Sequence, residues 1–515
     1  MIITDNIDYT EGFLRARNPT YIFKDFYPIT PPFGHGGVEV LDEKGKMAYV
    51  SIEPKLKPEE VELIGKIKDY IVSTPEVSLE ILDNPPLLRE YLLERMQSFY
   101  KKNDKKINPL AEDKMLYNLF RDFLGYGKMD VLMNDPFIED ISCNGYDLPI
   151  YIWHTIYESM PTQIQYTDKD ELSKIITRLV YKTGQQISIA QPILEGTLPE
   201  GYRAHVTLDE VSKKGDTFTI RKYKANPFTI VDLLKRNTID IKMAAYLWTL
   251  VEYKRSMMIC GAVASGKTAL LNSVGMYIKP EMKVVTIEEV RELRLHENWI
   301  PLTSRPSFQP GVKEITLYDL LKSSLRQRPD YIIIGEVRGE ETYTLFQSMA
   351  VGHGGLCSIH ADNLESVIKR LRTKPMNIPE MMLPLMNTLI LIRRVRQGDN
   401  IERRVDEISE ILPPATEEGL VKLEPRFKWD AKTDTFKYSA PKENAFDVYK
   451  QISEIHQIPL EQIKREVEVK ETVLDWMMKI DVQDYKEVQN IVRNYYLKPE
   501  EVLNLAKLET KNNGF

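Results

Sequence analysis

Residues 256–275 read SMMIC, GAVASGKT, ALLNSVG: an apolar strand, a glycine-bounded loop and an apolar helix start, with nothing between them. Few stretches of this length constrain a fold so tightly. A GxxxxGKT loop cradles phosphate only when a buried strand delivers it and a helix N-terminus follows, so that successive backbone N–H groups converge on one anion. Gly261 and Gly266 permit the turn, Lys267 is placed to reach the β and γ phosphates, and the Thr268 hydroxyl to meet Mg²⁺. The expected nucleotide-binding residues are therefore Gly261, Ala262, Val263, Ala264, Ser265, Gly266, Lys267, Thr268 and Ala269, with ATP and Mg²⁺ as the expected ligands.

Three further strands end in chemistry. KVVTIEEVREL (283–293) delivers Glu288 and Glu289, YIIIGEVRG (331–339) delivers Glu336, and GGLCSIHAD (354–362) delivers His360. In open α/β sheets ligands bind beyond the carboxyl ends of the strands, so these residues and the loop describe one pocket. Glu336 is read as the Walker B acid on the metal, through water, although Asp is commoner there. Glu288 is read as the group that orients the attacking water. The two carboxylates could exchange roles. Glu289 reads as a solvated neighbour, and His353 of VGHGG as either a loop-packing residue or a phosphate sensor.

The rest of the chain divides by pattern. Residues 1–110 form a mixed region with two helical apolar patterns, and residues 111–226 an α+β domain ending at Asn226-Pro227. A linker and hinge are expected over 227–235, an α/β domain with a mostly parallel sheet over 236–415, and a C-terminal helical extension over 416–515. TLILIRRVRQGDNIERRVDEISEIL reads as a hairpin turning at Gly398-Asp399-Asn400. Its basic run, 393–404, reads as a solvated face, and no function is assigned to it.

Composition narrows the partners. The 515 residues suit two to four domains, and 69 basic against 76 acidic residues leave a net charge of −7, so stable nucleic-acid binding is not expected. Three scattered cysteines form no CxxC pair, which disfavours a zinc module and suits a reducing cytoplasm. The N-terminus lacks a signal pattern and the apolar stretch 381–392 is too short to span a bilayer, so the expected location is cytoplasmic, peripheral at the inner face of the cell membrane.

GAVASGKT, TIEEVREL, RQRPDYIIIGEVRG and GHGGLCSIHAD together resemble the Walker A loop, Asp box, Walker B motif and His box of the secretion and type IV pilus assembly ATPases. YVSIEPKLKPEE, RDFLGYGKMDVLMNDPFIEDIS and ETVLDWMMKIDVQDYKEVQNIVRNYY resemble the archaeal branch of that superfamily, which includes the archaellum motor. Walker B glutamate is usual in the family. Glu289 stands where Asp is commoner, the tetracysteine zinc module is absent, and residues 1–40 match least. The resemblance implies a RecA-like P-loop core behind an α+β (PAS-like) N-terminal domain. It further implies a homohexamer, a polytopic membrane platform protein, filament machinery as partners, and Arg203 and Arg221 as arginine fingers reaching a neighbour's nucleotide. Arg326, Arg328 and Arg338 flank Walker B without a stated role. The alternatives are a conjugation or DNA-transfer ATPase, or a nucleotide-regulated scaffold with little hydrolysis.

Overall fold

The computed structural model describes residues 23–31, 33–41, 45–73, 84–222, 227–305, 313–397, 400–414, 416, 419–440 and 447–512. The chain divides into two compact units that meet in sequence between Lys224 and Ala225.

The first unit is built on nine strands: β1 (Phe23–Thr30), β2 (Gly34–Val40), β3 (Met47–Ile52), β4 (Ile138–Cys143), β5 (Pro149–His154), β6 (Glu158–Gln165), β7 (Ile193–Thr197), β8 (Arg203–Thr207) and β9 (Thr217–Arg221). Their order is β1-β2-β3-β6-β5-β4-β9-β8-β7, antiparallel except where β3 meets β6 at Tyr49 and Thr162. Helices Pro58–Ser73, Pro85–Lys102 and Pro109–Phe123 share a separate apolar cluster that includes Ile67, Leu92, Met96 and Leu119. The helix Lys169–Lys182, capped by Asp168, turns Leu172, Ile176 and Leu179 into the sheet's core.

The second unit carries β10 (Met257–Gly261), β11 (Val284–Glu288), β12 (Trp299–Thr303), β13 (Tyr331–Ile334), β14 (Gly354–His360), β15 (Thr388–Gln397), β16 (Asn400–Leu412), β17 (Lys422–Asp430) and β18 (Thr435–Tyr438). Their order is β12-β11-β13-β14-β10-β15-β16-β17-β18. The first six positions are parallel and the last three join antiparallel. Strand periodicity explains why this sheet is apolar on both faces. In β10, Met257 and Ile259 enter one core with Trp248 and Leu270, while Met258 and Cys260 enter the opposite core with Phe346 and Val367. Tyr331 and Ile333 of β13 and Ile390 and Ile392 of β15 follow the first pattern; Ile332, Ile334, Leu389 and Leu391 follow the second. A helical layer thus covers each face, and the parallel strands all end at one edge.

Three expectations change. The mixed region expected over 1–110 and the α+β domain expected over 111–226 share one nine-stranded order, in which β3 is hydrogen-bonded to β6. Within 227–235, Ile230–Lys235 is not an open linker but a helix closed by a Thr229–Asp232 capping box, with Ile230, Val231, Leu233 and Leu234 buried. The stretch 416–515 opens with β17 and β18 before becoming helical, since Phe427 and its neighbours supply one more apolar strand to the sheet. The hairpin arms β15 and β16 pair from Thr388↔Glu410 to Gln397↔Asn400; Gly398 and Asp399 of the expected turn, and Asn226 of the expected boundary, lie outside the described residues.

The C-terminal helices are fastened to the sheet's helical layer at Trp248. Its ring stacks on Tyr277, with centroids 4.8 Å apart and planes 6° from parallel. Its Nε1 donates to the Tyr496 hydroxyl at 2.8 Å, which in turn donates to the Tyr277 carbonyl at 2.7 Å. Tyr496→Phe strands a buried donor and a buried acceptor at once, and the expected loss is ~1–3 kcal/mol in chemical denaturation. An unchanged midpoint would show that the hydroxyl bridge contributes nothing.

Candidate functional site

At Gly261 the chain leaves β10 against the backbone of β15, and a Cβ there would overlap the Ile392 carbonyl oxygen and the Ser265 hydroxyl. Ala264 at φ 60° and Gly266 at φ 98° then curl the loop back. Ser265 Oγ is buried with no partner. The helix Lys267–Gly275 follows, and its N-cap residue, Gly266, has no side chain to satisfy the first N–H groups. Lys267 is 8% exposed and its Nζ donates to Gly261 O at 3.1 Å, Ala262 O at 3.0 Å and His360 Nδ1 at 3.2 Å. Burial lowers its pKa.

Register aligns the other strand ends with this loop. Gly261 pairs with His360 across β10 and β14, Ile334 with Cys357, and Ile287 with Ile334. The Lys267 ammonium can only donate, so Nδ1 of His360 accepts and Nε2 carries the proton that faces Glu336 Oε2 at 3.3 Å. Burial, then the charge of Lys267, depress the His360 pKa, which favours the neutral ring. Glu336 Oε1 accepts from Arg338 Nε at 3.0 Å, and Arg338 also meets Glu289 Oε1 at 3.4 Å. One polar chain therefore runs Lys267, His360, Glu336, Arg338, Glu289 across the strand ends.

Glu288 lies outside that chain. It is 3% exposed; its Oε1 accepts from the Glu292 and Leu293 amides at 2.9 and 3.1 Å, and its Oε2 is buried without a partner. Gly335 makes room, since a Cβ there would sit 3.2 Å from Glu288 Cγ. Burial pushes the Glu288 pKa up to about 7 even though the two amides pull it down.

Residues 133–479 match the family described as type II/IV secretion system protein. The chain belongs to that family. An uncharacterized protein of Methanocaldococcus jannaschii is 35% identical over 400 residues, 77% of this chain and 72% of the relative. PtlH, a type IV secretion system protein of Bordetella pertussis, is 28% identical over 274 residues, 46% of this chain and 80% of that one. Among solved structures, the Yersinia pseudotuberculosis ATPase DotB aligns over 75% of this chain and 94% of its own, at 14% identity and a TM-score of 0.41.

Not every residue singled out in this secretion-family sequence reaches the site. His353 precedes β14, at the opposite edge of the sheet, where its Nδ1 donates to Pro329 O at 2.7 Å. Arg326 and Arg328 precede β13 and share that far edge, whereas Arg338 follows β13 and stands among the strand ends. Arg203 and Arg221 belong to the first unit, opposite each other on β8 and β9, with Arg203 paired to Glu195 and Arg221 Nε 3.3 Å from Asp140. Glu289 is exposed, as a solvated neighbour would be, and meets the exposed Arg338 in a surface ion pair.

The basic run hid one further residue. Arg393 is exposed and pairs with Asp406, as a solvated face would, whereas Arg404, against that expectation, is buried at 3% exposure and paired with Asp434. Arg403 differs: its Cδ lies 3.3 Å from where a Cβ of Gly266 would stand, and among the described residues it has no ion pair. The available signal was the period of β16, which puts Arg403 on the face of Val405, the face packed toward the loop's helix.

The pKa of Glu288 has a stability consequence. It rises from an ordinary carboxylate value to about 7 on folding, so between those values the folded chain holds the extra proton. Stability therefore falls as pH rises through that window, by up to about 3 kcal/mol. In Glu288→Gln the term is gone: the variant should melt above the parent at pH 8 and converge with it near pH 4. A gap that does not vary with pH would contradict the buried, titrating carboxylate.

Proposed function

We propose that this chain is a hexameric motor ATPase that hydrolyses ATP with Mg²⁺ to drive assembly, rotation or retraction of a pilus-like or archaellum-like filament through a polytopic membrane platform protein. The observation that carries the ATPase reading is the convergence of the loop 261–268, Glu288, Glu336 and His360 on adjacent ends of parallel strands.

The loop fits a polyphosphate. Side chains are excluded where Gly261 turns, the Ser265 hydroxyl is an orphan, and the helix start at Lys267 has no side-chain cap. Lys267 is held by two neutral carbonyls, for which a phosphate oxygen is a stronger substitute acceptor. Mg²⁺ keeps most of its waters and needs only one or two protein oxygens, so Thr268 and Glu336 would hold it. Bound there, it neutralises charge on the phosphate. Glu288 receives the proton as the water oxygen bonds to the γ phosphorus and the bond to ADP breaks, the ADP oxygen leaving with the electron pair. A pKa near 7 suits a base at neutral pH. His360 holds the line between Lys267 and Glu336, and Arg403 adds a positive charge beside the loop.

Arg203 and Arg221 are proposed to complete a neighbouring subunit's site. Each guanidinium is paired to a carboxylate of its own unit, Glu195 or Asp140, for which a nucleotide phosphate would be a substitute acceptor. Among the described residues no helix is long and apolar enough to cross a membrane. The second reading, a secretion or transfer ATPase, draws on the match to PtlH.

Lys267→Ala should abolish hydrolysis, and Glu288→Gln should bind ATP while turning over at least ~10²-fold more slowly. Normal turnover by Glu288→Gln would move the base elsewhere. In mixtures, Arg203→Ala subunits should depress activity more steeply than their mole fraction; linear dilution would exclude a role across subunits.

A further inference from the structure

The segment that follows β11 is held from two sides. From the sheet, Glu288 Oε1 accepts from the amides of Glu292 and Leu293. From the phosphate-loop helix, Asn272 Oδ1 accepts from the next amide, Arg294 N, at 2.8 Å. Asn272 is 2% exposed and stands four residues beyond Thr268, on the same face of the helix. One helical turn farther, Gly275 lets the segment lie close, since a Cβ there would come within 2.9 Å of Leu295 Cδ2. Three consecutive amides are thus divided between two side chains, one on the helix that begins at Lys267 and one the carboxylate of Glu288.

We infer that Asn272 is a positioning residue for Glu288: it clamps residues 292–294 to the phosphate-loop helix, and through them fixes where the Glu288 carboxylate stands relative to the phosphates. The inference rests on the function proposed above. Glu288 has only one oxygen so engaged; the other is buried and unpaired, so its direction is set by the bonds at Oε1. Asn272 cannot serve as an acid or a base. Its amide must present oxygen to Arg294 N, which leaves Nδ2 buried with no partner, an arrangement that packing alone does not require. Arg291 and Glu292 are the charged side chains acting on Glu288 from the segment itself, while Glu336, Arg338 and Glu289 are engaged with one another across the strand ends.

The test compares Asn272→Leu, which keeps the volume and loses the acceptor, with Asn272→Asp, which keeps an acceptor oxygen in the same place. Steady-state ATPase is measured on both full-length variants, together with melting temperature and hydrogen exchange at the Arg294 amide. Asn272→Leu is expected to lower kcat by about ten- to a hundredfold with KM for ATP unchanged, and to speed exchange at Arg294. Asn272→Asp should recover most of both. If Asn272→Leu does not fold, Asn272→Ala enters the same comparison. Unaltered kcat in the variant lacking the acceptor, or equal losses in the Leu and Asp variants with unaltered exchange, would overturn the clamp. Turnover by Glu288→Gln would instead overturn the function on which the clamp rests, so the two failures are separable.

Discussion

Burial of both faces of the parallel sheet is the constraint from which the rest of the second unit follows. A strand such as β10, with every residue buried, cannot border water on either side, so helices must cover both faces. Parallel neighbours then end together, and only the rims of the sheet are left to solvent. The loop 261–268, Glu288, Glu336 and His360 are neighbours because the sheet allows the chain to emerge nowhere else. The same constraint sends His353, Arg326 and Arg328 to the far rim, although Arg328 lies only eight residues from Glu336 in sequence.

Much of this was legible before any coordinates. The α/β class follows from apolar runs of strand length, whose periodicity survives whatever the surroundings do, and the family resemblance rests on the four motifs at their ends. What was not legible depended on partners distant in sequence. Asn226-Pro227 suggested a linker, yet Ile230, Val231, Leu233 and Leu234 find a core to enter, and the capping box makes a helix of them. Residues 422–438 look as charged as the helices after them, and only pairing with β16 makes them strands.

The same difference hides the contacts of Glu289 and Arg403 from the sequence. Among sequence neighbours alone, a charge beside charges resembles a solvated face. Arg338 lies forty-nine residues beyond Glu289 and reaches it only because β11 and β13 are adjacent. Arg403 reaches the loop because β15 runs past the end of β10, so that the basic half of the hairpin stands beside the phosphate loop. Neither relation is local, and no reading of residue types alone contains it.

The two carboxylates whose roles the sequence left interchangeable sit in unlike surroundings. Glu336 is partly exposed and spends both oxygens in a polar line with Arg338 and His360, an arrangement of accessible oxygens that suits a metal or its water. Glu288 is dry, is held at one oxygen by backbone amides, and keeps the other free of any partner, which drives its pKa to about 7. A carboxylate poised to take a proton and one open to a metal or its water are needed side by side in phosphoryl transfer to water, and unlike surroundings are how one residue type supplies both. That asymmetry, rather than strand order, is the physical ground for proposing Glu288 for the water and Glu336 for the metal.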